Sequence, residues 1–185
     1  MQAANKAVFL DRDGTIIEDL GYVSSPDQVK FIPGSIAVIK TLNQAGYKVV
    51  VITNQSGVAR GLFPEGMVHS VDKKINKELL SGGAYVDHFY YCPHHPEHGH
   101  YPYRTECECR KPHDGLIRKA AKDLNIDLSA SFMIGDKVTD IEAGQKAGVK
   151  TIFVLTGHGE KEKNTFKKAP DHISKDLKDA IDHIK

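Results

Sequence analysis

Two kinds of apolar pattern alternate along the chain. The segments AVFL (7–10), KVVVIT (48–53), HFYY (88–91), FMI (132–134) and TIFVL (151–155) are short, near-continuous apolar runs. Runs of that length with no polar alternation are expected of strands buried on both faces. Between them the apolar residues recur every three or four positions. SIAVIKTLNQAG (35–46) puts Ile36, Ile39, Leu42 and Ala45 on one helical stripe and stops at Gly46. Residues 65–80 repeat the pattern with Val68, Val71, Ile75 and Leu79, and 114–125, 137–148 and 175–184 read as further helices. Buried strands alternating with helices predict an α/β fold, a doubly wound parallel sheet in a three-layer Rossmann-like sandwich, within one domain spanning 1–185.

One stretch fits neither pattern. YCPHHPEHGHYPYRTECECRKPH (91–113) holds all three cysteines and five of the ten histidines. A structureless loop of this length needs something to hold it inside a compact domain. Cys92 and His94 form one close pair, and Cys107 and Cys109 another, with twelve residues between the pairs. Three thiolates and one imidazole make the closed tetrahedral shell of a structural Zn²⁺ site. His95, His98 and His100 are rival ligands, with His95 the nearest substitute and the others expected in solvent.

Composition narrows the function classes. A chain of 185 residues with 40% hydrophobic and 26% charged residues is an ordinary globular chain. The net charge of +1 provides no general attraction for nucleic acid or anionic membrane. The longest apolar runs are far too short to span a bilayer. No apolar h-region precedes Asp11, so a cytoplasmic protein is expected. Nothing in the pattern demands more than a monomer.

In doubly wound sheets ligands bind at the carboxyl ends of the strands. Four predicted strand ends carry DRDGT, TNQSG, CPHH and GDKVTD. Asp11 and Asp13 are spaced to point to one side of an extended segment, and Gly14 permits a sharp turn after them. Such a pair suits a nucleophile and a general acid/base, or a metal site. A calcium loop is excluded, because glycine stands at the fourth position and Tyr22 at the twelfth. Asp136 follows another strand, with Asp140 beyond it. Three acids converging on one rim call for a cation, and Mg²⁺ suits few carboxylates and open positions. Thr53 brings a hydroxyl and successive backbone N–H groups behind it, and Lys111 a point charge.

FLDRDGT, VVVITNQSG, RKP and IGDKVTD resemble, in this order, the four motifs of the haloacid dehalogenase (HAD) superfamily phosphatases. The resemblance covers residues 7–155. It implies that Asp11 is the nucleophile that becomes an aspartyl-phosphate, and that Asp13 protonates the leaving alkoxide and then activates water. It implies that Thr53 and Lys111 stabilise the phosphoryl group, and that Asp11, the Asp13 backbone carbonyl and Asp136 bind Mg²⁺. Only 39 residues separate Asp13 from Thr53, and a loop, a helix and a strand use them, so no cap domain fits. The absent cap, the zinc loop and NQSGVARG resemble a branch that dephosphorylates sugar bisphosphates in the synthesis of nucleotide-activated sugars for bacterial glycans. Its nearest relatives act on histidinol phosphate. By that match Asp19, Gly21, Tyr22, Asn54, Gln55, Ser56, Arg110 and Lys137 contact substrate. Arg60 either contacts phosphate or caps the helix from 65. A nucleic-acid end phosphatase and a non-catalytic zinc module are the readings that the charge and the four strand-end motifs disfavour.

Overall fold

The structure is a computed structural model that describes residues 4–184. Six parallel strands form one sheet in the order β3-β2-β1-β4-β5-β6. They are β1 (Ala7–Leu10), β2 (Lys48–Asn54), β3 (His88–Cys92), β4 (Phe132–Gly135), β5 (Lys150–Val154) and β6 (His172–Ser174). The helices are α1 (Ser35–Gln44), α2 (Glu65–Ser81), α3 (Gly115–Asp123), α4 (Val138–Ala147), α5 (Gly159–Glu162) and α6 (Leu177–Ala180).

Strand alternation divides the core into two halves. Val8, Leu10, Val49, Val51, Ile134 and Val154 pack on one face against α1, α2 and α6, through Val38, Ile39, Val71, Ile75 and Leu177. Ala7, Phe9, Val50, Ile52 and Met133 face the other way, against Leu116, Ile117 and Ala120 of α3 and Ala143 and Ala147 of α4. Both faces of β1 are fully buried, which is why its sequence shows no alternation.

Four elements differ from expectation, one of them α5, a single turn with only Gly159 buried that no apolar spacing announces. The buried stripe of α1 is Ser35, Val38, Ile39 and Leu42; Ile36 is only partly buried and Ala45 is exposed. The helix sits rotated because Val38 and Ile39 bury more apolar surface than Ala45 could. The helix expected over 175–184 is a single turn, Leu177–Ala180, that tightens into a 3-10 turn at Ile181–His183. The preceding segment supplies β6, whose exposed His172 and Ile173 give no strand signature.

The strand order reverses between β1 and β4, which lie side by side. Their carboxyl ends therefore diverge around a crevice, the place where doubly wound sheets bind ligands.

Candidate active site

The crevice collects residues from four strand ends. Asp11 and Asp13 follow β1, Thr53 and Asn54 end β2, Asp136 follows β4, and Lys111 arrives from the long loop after β3. Lys111 is 3% exposed, and its ammonium donates to Asp11 Oδ1 at 2.8 Å and to the Ile52 carbonyl at 2.6 Å, while Asp140 Oδ1 lies 2.6 Å away. Two of its protons are hydrogen-bonded, and Asp140 faces it as an ion pair whose Oδ1 makes no hydrogen bond. Asp11, Thr53, Lys111 and Asp140 border a recess of about 30 Å³, together with Asp13, Asn54, Lys137 and Thr139. It opens toward a cleft of about 440 Å³ lined by Asp19, Gly21, Tyr22, Gln55, Ser56, Arg110, Lys137, His158 and others.

Charge in the recess is out of balance. Carboxylate oxygens of Asp11, Asp136 and Asp140 all lie within 4.8 Å of one another and all three residues are buried. Burial, with Asp11 and Asp140 beside it, pushes the Asp136 carboxyl up to about 8, and burial pushes Asp140 up to about 6 despite its contact with Lys111. Burial opposes ionisation of Asp11 as well, but Lys111 and Lys137 outweigh it and hold that carboxyl below its ordinary range. Burial would likewise lower Lys137, yet the surrounding carboxylates hold it above the usual lysine range. A buried acid kept protonated by its neighbours ionises readily once a cation sits among them. Hard oxygen donors packed this closely fit Mg²⁺. Asp140 belongs to this cluster by position, and the sequence alone left it without a role.

Gly14 has φ of 91°, and a Cβ there would collide with the Asp136 carboxylate. The turn after Asp13 thus needs glycine both for its backbone and for the close approach of the two motifs. Asp136 also accepts a 2.8 Å bond from the His158 backbone N–H, ahead of α5. His158 reaches the rim a second way, with Nε2 3.2 Å from Asp19 Oδ2. Lys137 Nζ donates to the same oxygen at 3.0 Å.

Two residues expected to touch substrate also have structural partners. Gln55 Nε2 donates to Thr53 Oγ1 and to Asp13 Oδ2, both at 2.8 Å. Since that bond occupies a lone pair of Thr53, the hydroxyl proton is free for another acceptor. Asn54 clamps Lys111 through both ends of its amide, donating to the Lys111 carbonyl and accepting from the Lys111 N–H, each at 3.0 Å. Arg60 is exposed and lies 3.4 Å from His95 Nε2. It does not cap α2, which begins at Glu65 after Pro64 and receives no side-chain capping bond.

The long loop closes on its own cluster. Cys109 Sγ lies 3.1 Å from both Cys92 Sγ and Cys107 Sγ, and Cys92 and Cys107 are 3.5 Å apart. His94 Nδ1 is 3.3 Å from Cys109 Sγ and 3.7 Å from Cys92 Sγ. A tetrahedron built on metal–sulfur bonds of about 2.3 Å has sulfur–sulfur edges of about 3.8 Å, so the four donors are gathered in one place but packed closer than a bound ion would hold them. Hydrogen bonding from Cys92 draws the Cys109 thiol down to about 5, toward the thiolate a metal requires. His95 is outside the cluster: its Nδ1 accepts from the Glu97 and His98 backbone N–H groups at 3.1 and 3.2 Å. His98 and His100 are exposed. Neighbouring contacts anchor the loop to the motif after β2. Gln55 N donates to the Cys92 carbonyl at 2.7 Å and Ala59 N to that of Pro93 at 3.2 Å, while within the loop Arg110 donates to the His94 carbonyl at 3.1 Å.

Comparison with known proteins places this geometry in context. Residues 108–180 match the HAD-hydrolase-like family model. The chain is 48% identical over 153 residues to the D-glycero-beta-D-manno-heptose-1,7-bisphosphate 7-phosphatase of Pasteurella multocida, covering 82% of this chain and 83% of the relative. It is 44% identical to the Escherichia coli K12 protein of the same name, covering 82% and 80%. Among solved structures, the D,D-heptose 1,7-bisphosphate phosphatase of B. bronchiseptica, complexed with magnesium and phosphate, superposes with a TM-score of 0.86 at 35% identity, covering 96% of this chain and 97% of that one. The corresponding Burkholderia thailandensis structure superposes at 0.72 with 31% identity, covering 98% and 99%.

Proposed function

The chain belongs to the HAD-like phosphatase family that contains these heptose-bisphosphate enzymes, and from that premise we propose that it removes the 7-phosphate of D-glycero-beta-D-manno-heptose 1,7-bisphosphate. The observation that carries the chemistry is the pairing of Asp11 with Lys111 at 2.8 Å inside the acidic recess. It couples a carboxylate kept ionised to a cation able to follow the charge of a phosphoryl group.

In this reading an Asp11 carboxylate oxygen attacks the phosphorus of the 7-phosphate. The bond from phosphorus to the sugar oxygen breaks, and the Asp13 carboxyl gives its proton to that oxygen as it leaves. The aspartyl-phosphate on Asp11 is then hydrolysed. Asp13, now a carboxylate, takes a proton from the attacking water, and the phosphorus–Asp11 bond breaks to release inorganic phosphate. Lys111 and the Thr53 hydroxyl hold the phosphoryl oxygens through both steps. Asp11, Asp136 and the Asp13 carbonyl would hold Mg²⁺, which when bound neutralises part of the phosphate charge.

The 1-phosphate remains as a second dianion, and Arg110 at the cleft wall is suited to it by its planar fork. Cys92, His94, Cys107 and Cys109 would hold a structural Zn²⁺, whose binding would fix Arg110 and Lys111, the residues directly after Cys109, over the cleft. With four protein ligands such an ion would have a supporting and not a catalytic role.

The test is a side-by-side rate comparison on both anomers of heptose 1,7-bisphosphate, histidinol phosphate and a DNA 3′-phosphate. The expected result is the highest kcat/KM on the beta anomer. Histidinol phosphate winning by orders of magnitude overturns the substrate assignment and leaves the phosphatase chemistry standing.

A further inference from the structure

Arg12 stands between the two strand-end aspartates, has no solvent exposure at all and is the bulkiest fully buried side chain among the described residues. Its guanidinium is divided between two carboxylates. Nε and Nη2 donate to Asp13, at 3.1 Å to Oδ2 and 3.3 Å to Oδ1. Nη1 donates at 3.0 Å to Oδ1 of Asp72, in the middle of α2. Asp72 is itself 6% exposed, and burial raises its carboxyl above the ordinary range. No element of the phosphatase chemistry uses it.

We propose that Asp72 is a positioning residue, which sets the orientation of the Asp13 carboxyl by holding the far end of the Arg12 guanidinium. The inference rests on the assignment of Asp13 as the proton donor to the leaving oxygen.

A guanidinium is a rigid plane, so fixing one edge fixes the opposite edge. Gripping both oxygens of Asp13 along one edge sets the plane of that carboxyl. Gln55 supports Oδ2 independently at 2.8 Å. With Arg12 bonded only to Asp13, its neighbour in sequence, the pair could swing together. Asp72 stops that motion because α2 is packed on the sheet through Val71 and Ile75 on either side of it. Proton transfer to a leaving oxygen depends on placement to within a fraction of an ångström.

A purely structural ion pair and a positioning device predict different kinetics. An alkyl phosphate needs its leaving oxygen protonated, whereas p-nitrophenolate leaves without help. The ratio kcat/KM covers events only through the departure of that group, so later hydrolysis of the phospho-enzyme does not blur it. The experiment measures kcat/KM on heptose 1,7-bisphosphate and on p-nitrophenyl phosphate for the wild type, Asp13→Asn, Asp72→Ala and Asp72→Asn, with thermal midpoints for each. Asp72→Ala is expected to lose about 10- to 100-fold on the sugar phosphate and less than about threefold on the aryl phosphate. Asp72→Asn keeps the shape and one acceptor, and is expected to recover most of that loss. Equal losses on both substrates, or no loss, overturn the proposal. If Asp72→Ala does not accumulate as folded protein, Asp72→Asn alone decides by the same selectivity, with a smaller selective loss expected. Asp13→Asn separates the two levels of inference. A selective loss there with none in either Asp72 variant refutes the role of Asp72. Its absence in Asp13→Asn refutes the proton-donor assignment, and this proposal with it.

Discussion

The molecule holds two clusters of potential metal ligands, and they are built in opposite ways. Asp11, Asp136 and Asp140 are all buried, and the cluster joins the end of β1 to the end of β4 and the first turn of α4, more than a hundred residues further along the chain. Cys92, His94, Cys107 and Cys109 lie within eighteen residues, mostly half-buried, in a loop that is also tied to the rest of the fold through Gln55, Ala59 and Asn54. In the first, the sheet pays to hold like charges together, which leaves Asp136 unusually hard to ionise. In the second, soft donors replace the apolar core that the loop lacks. A site strained by its scaffold suits turnover, and a site that makes its own scaffold suits support. Asn54 joins the two, since its amide clamps Lys111 directly beyond the last thiol ligands.

That contrast can be broken at either end. The largest expected effect is on Asp11→Asn, which should lower phosphate release by at least about 10³-fold while leaving zinc content and thermal midpoint close to wild type. Loss of zinc in that variant would show that the clusters are not separate. Next comes the metal of the loop. Stripping zinc with a chelator should expose 92–109 to proteolysis and reduce turnover by about 10- to 100-fold, with zinc and not Mg²⁺ restoring it. Full recovery on Mg²⁺ alone, in protein verified to be zinc-free, would refute the supporting role.

A subtler difference should appear with pH. Asp136 holds its proton up to about 8 in the folded chain, and Asp140 up to about 6, both far above an unfolded carboxylate. Between the ordinary carboxylate range and pH 8 the folded state therefore binds more protons than the unfolded one. Metal-free stability should fall as pH rises through that window. Mg²⁺ competes with those protons, so its stabilisation should be greater at pH 8 than at pH 6, as read by thermal midpoints. A metal-free midpoint that rises over the window would contradict the charge arrangement described. The smallest effect is expected from His95→Ala, which should leave bound zinc at wild-type stoichiometry, because the ring lies outside the cluster. Metal analysis showing a loss would make His95 a ligand.

Much of the fold was legible because strands buried on both faces and helices with one buried face leave unmistakable patterns. Val49–Ile52 reads as a strand from its composition alone, and Val71, Ile75 and Leu79 mark their helix by spacing. What escaped was short and exposed. β6 has one buried residue, and α1 turned by a fraction of a turn because neighbouring packing, not its own periodicity, chose the buried stripe. The site shows the same division. Asp11, Asp13, Thr53 and Asp136 could be singled out because each stands where an apolar run stops, and Lys111 because it follows the clustered thiols. Arg12, Asp72 and His158 could not, since an arginine between two aspartates or an aspartate inside a helix reads as ordinary solvated charge.

The sequence by itself determined the order of the five buried strands and the four longer helices, the acids at the strand ends and the clustered thiols, because local pattern and spacing carry them. Only the tertiary structure decided which charges meet. The sheet brings Asp140 to Lys111 and packs α2 so that Asp72 reaches Arg12. A buried charge must find a partner wherever the chain happens to pass, and partners so distant along the chain leave no periodicity to read.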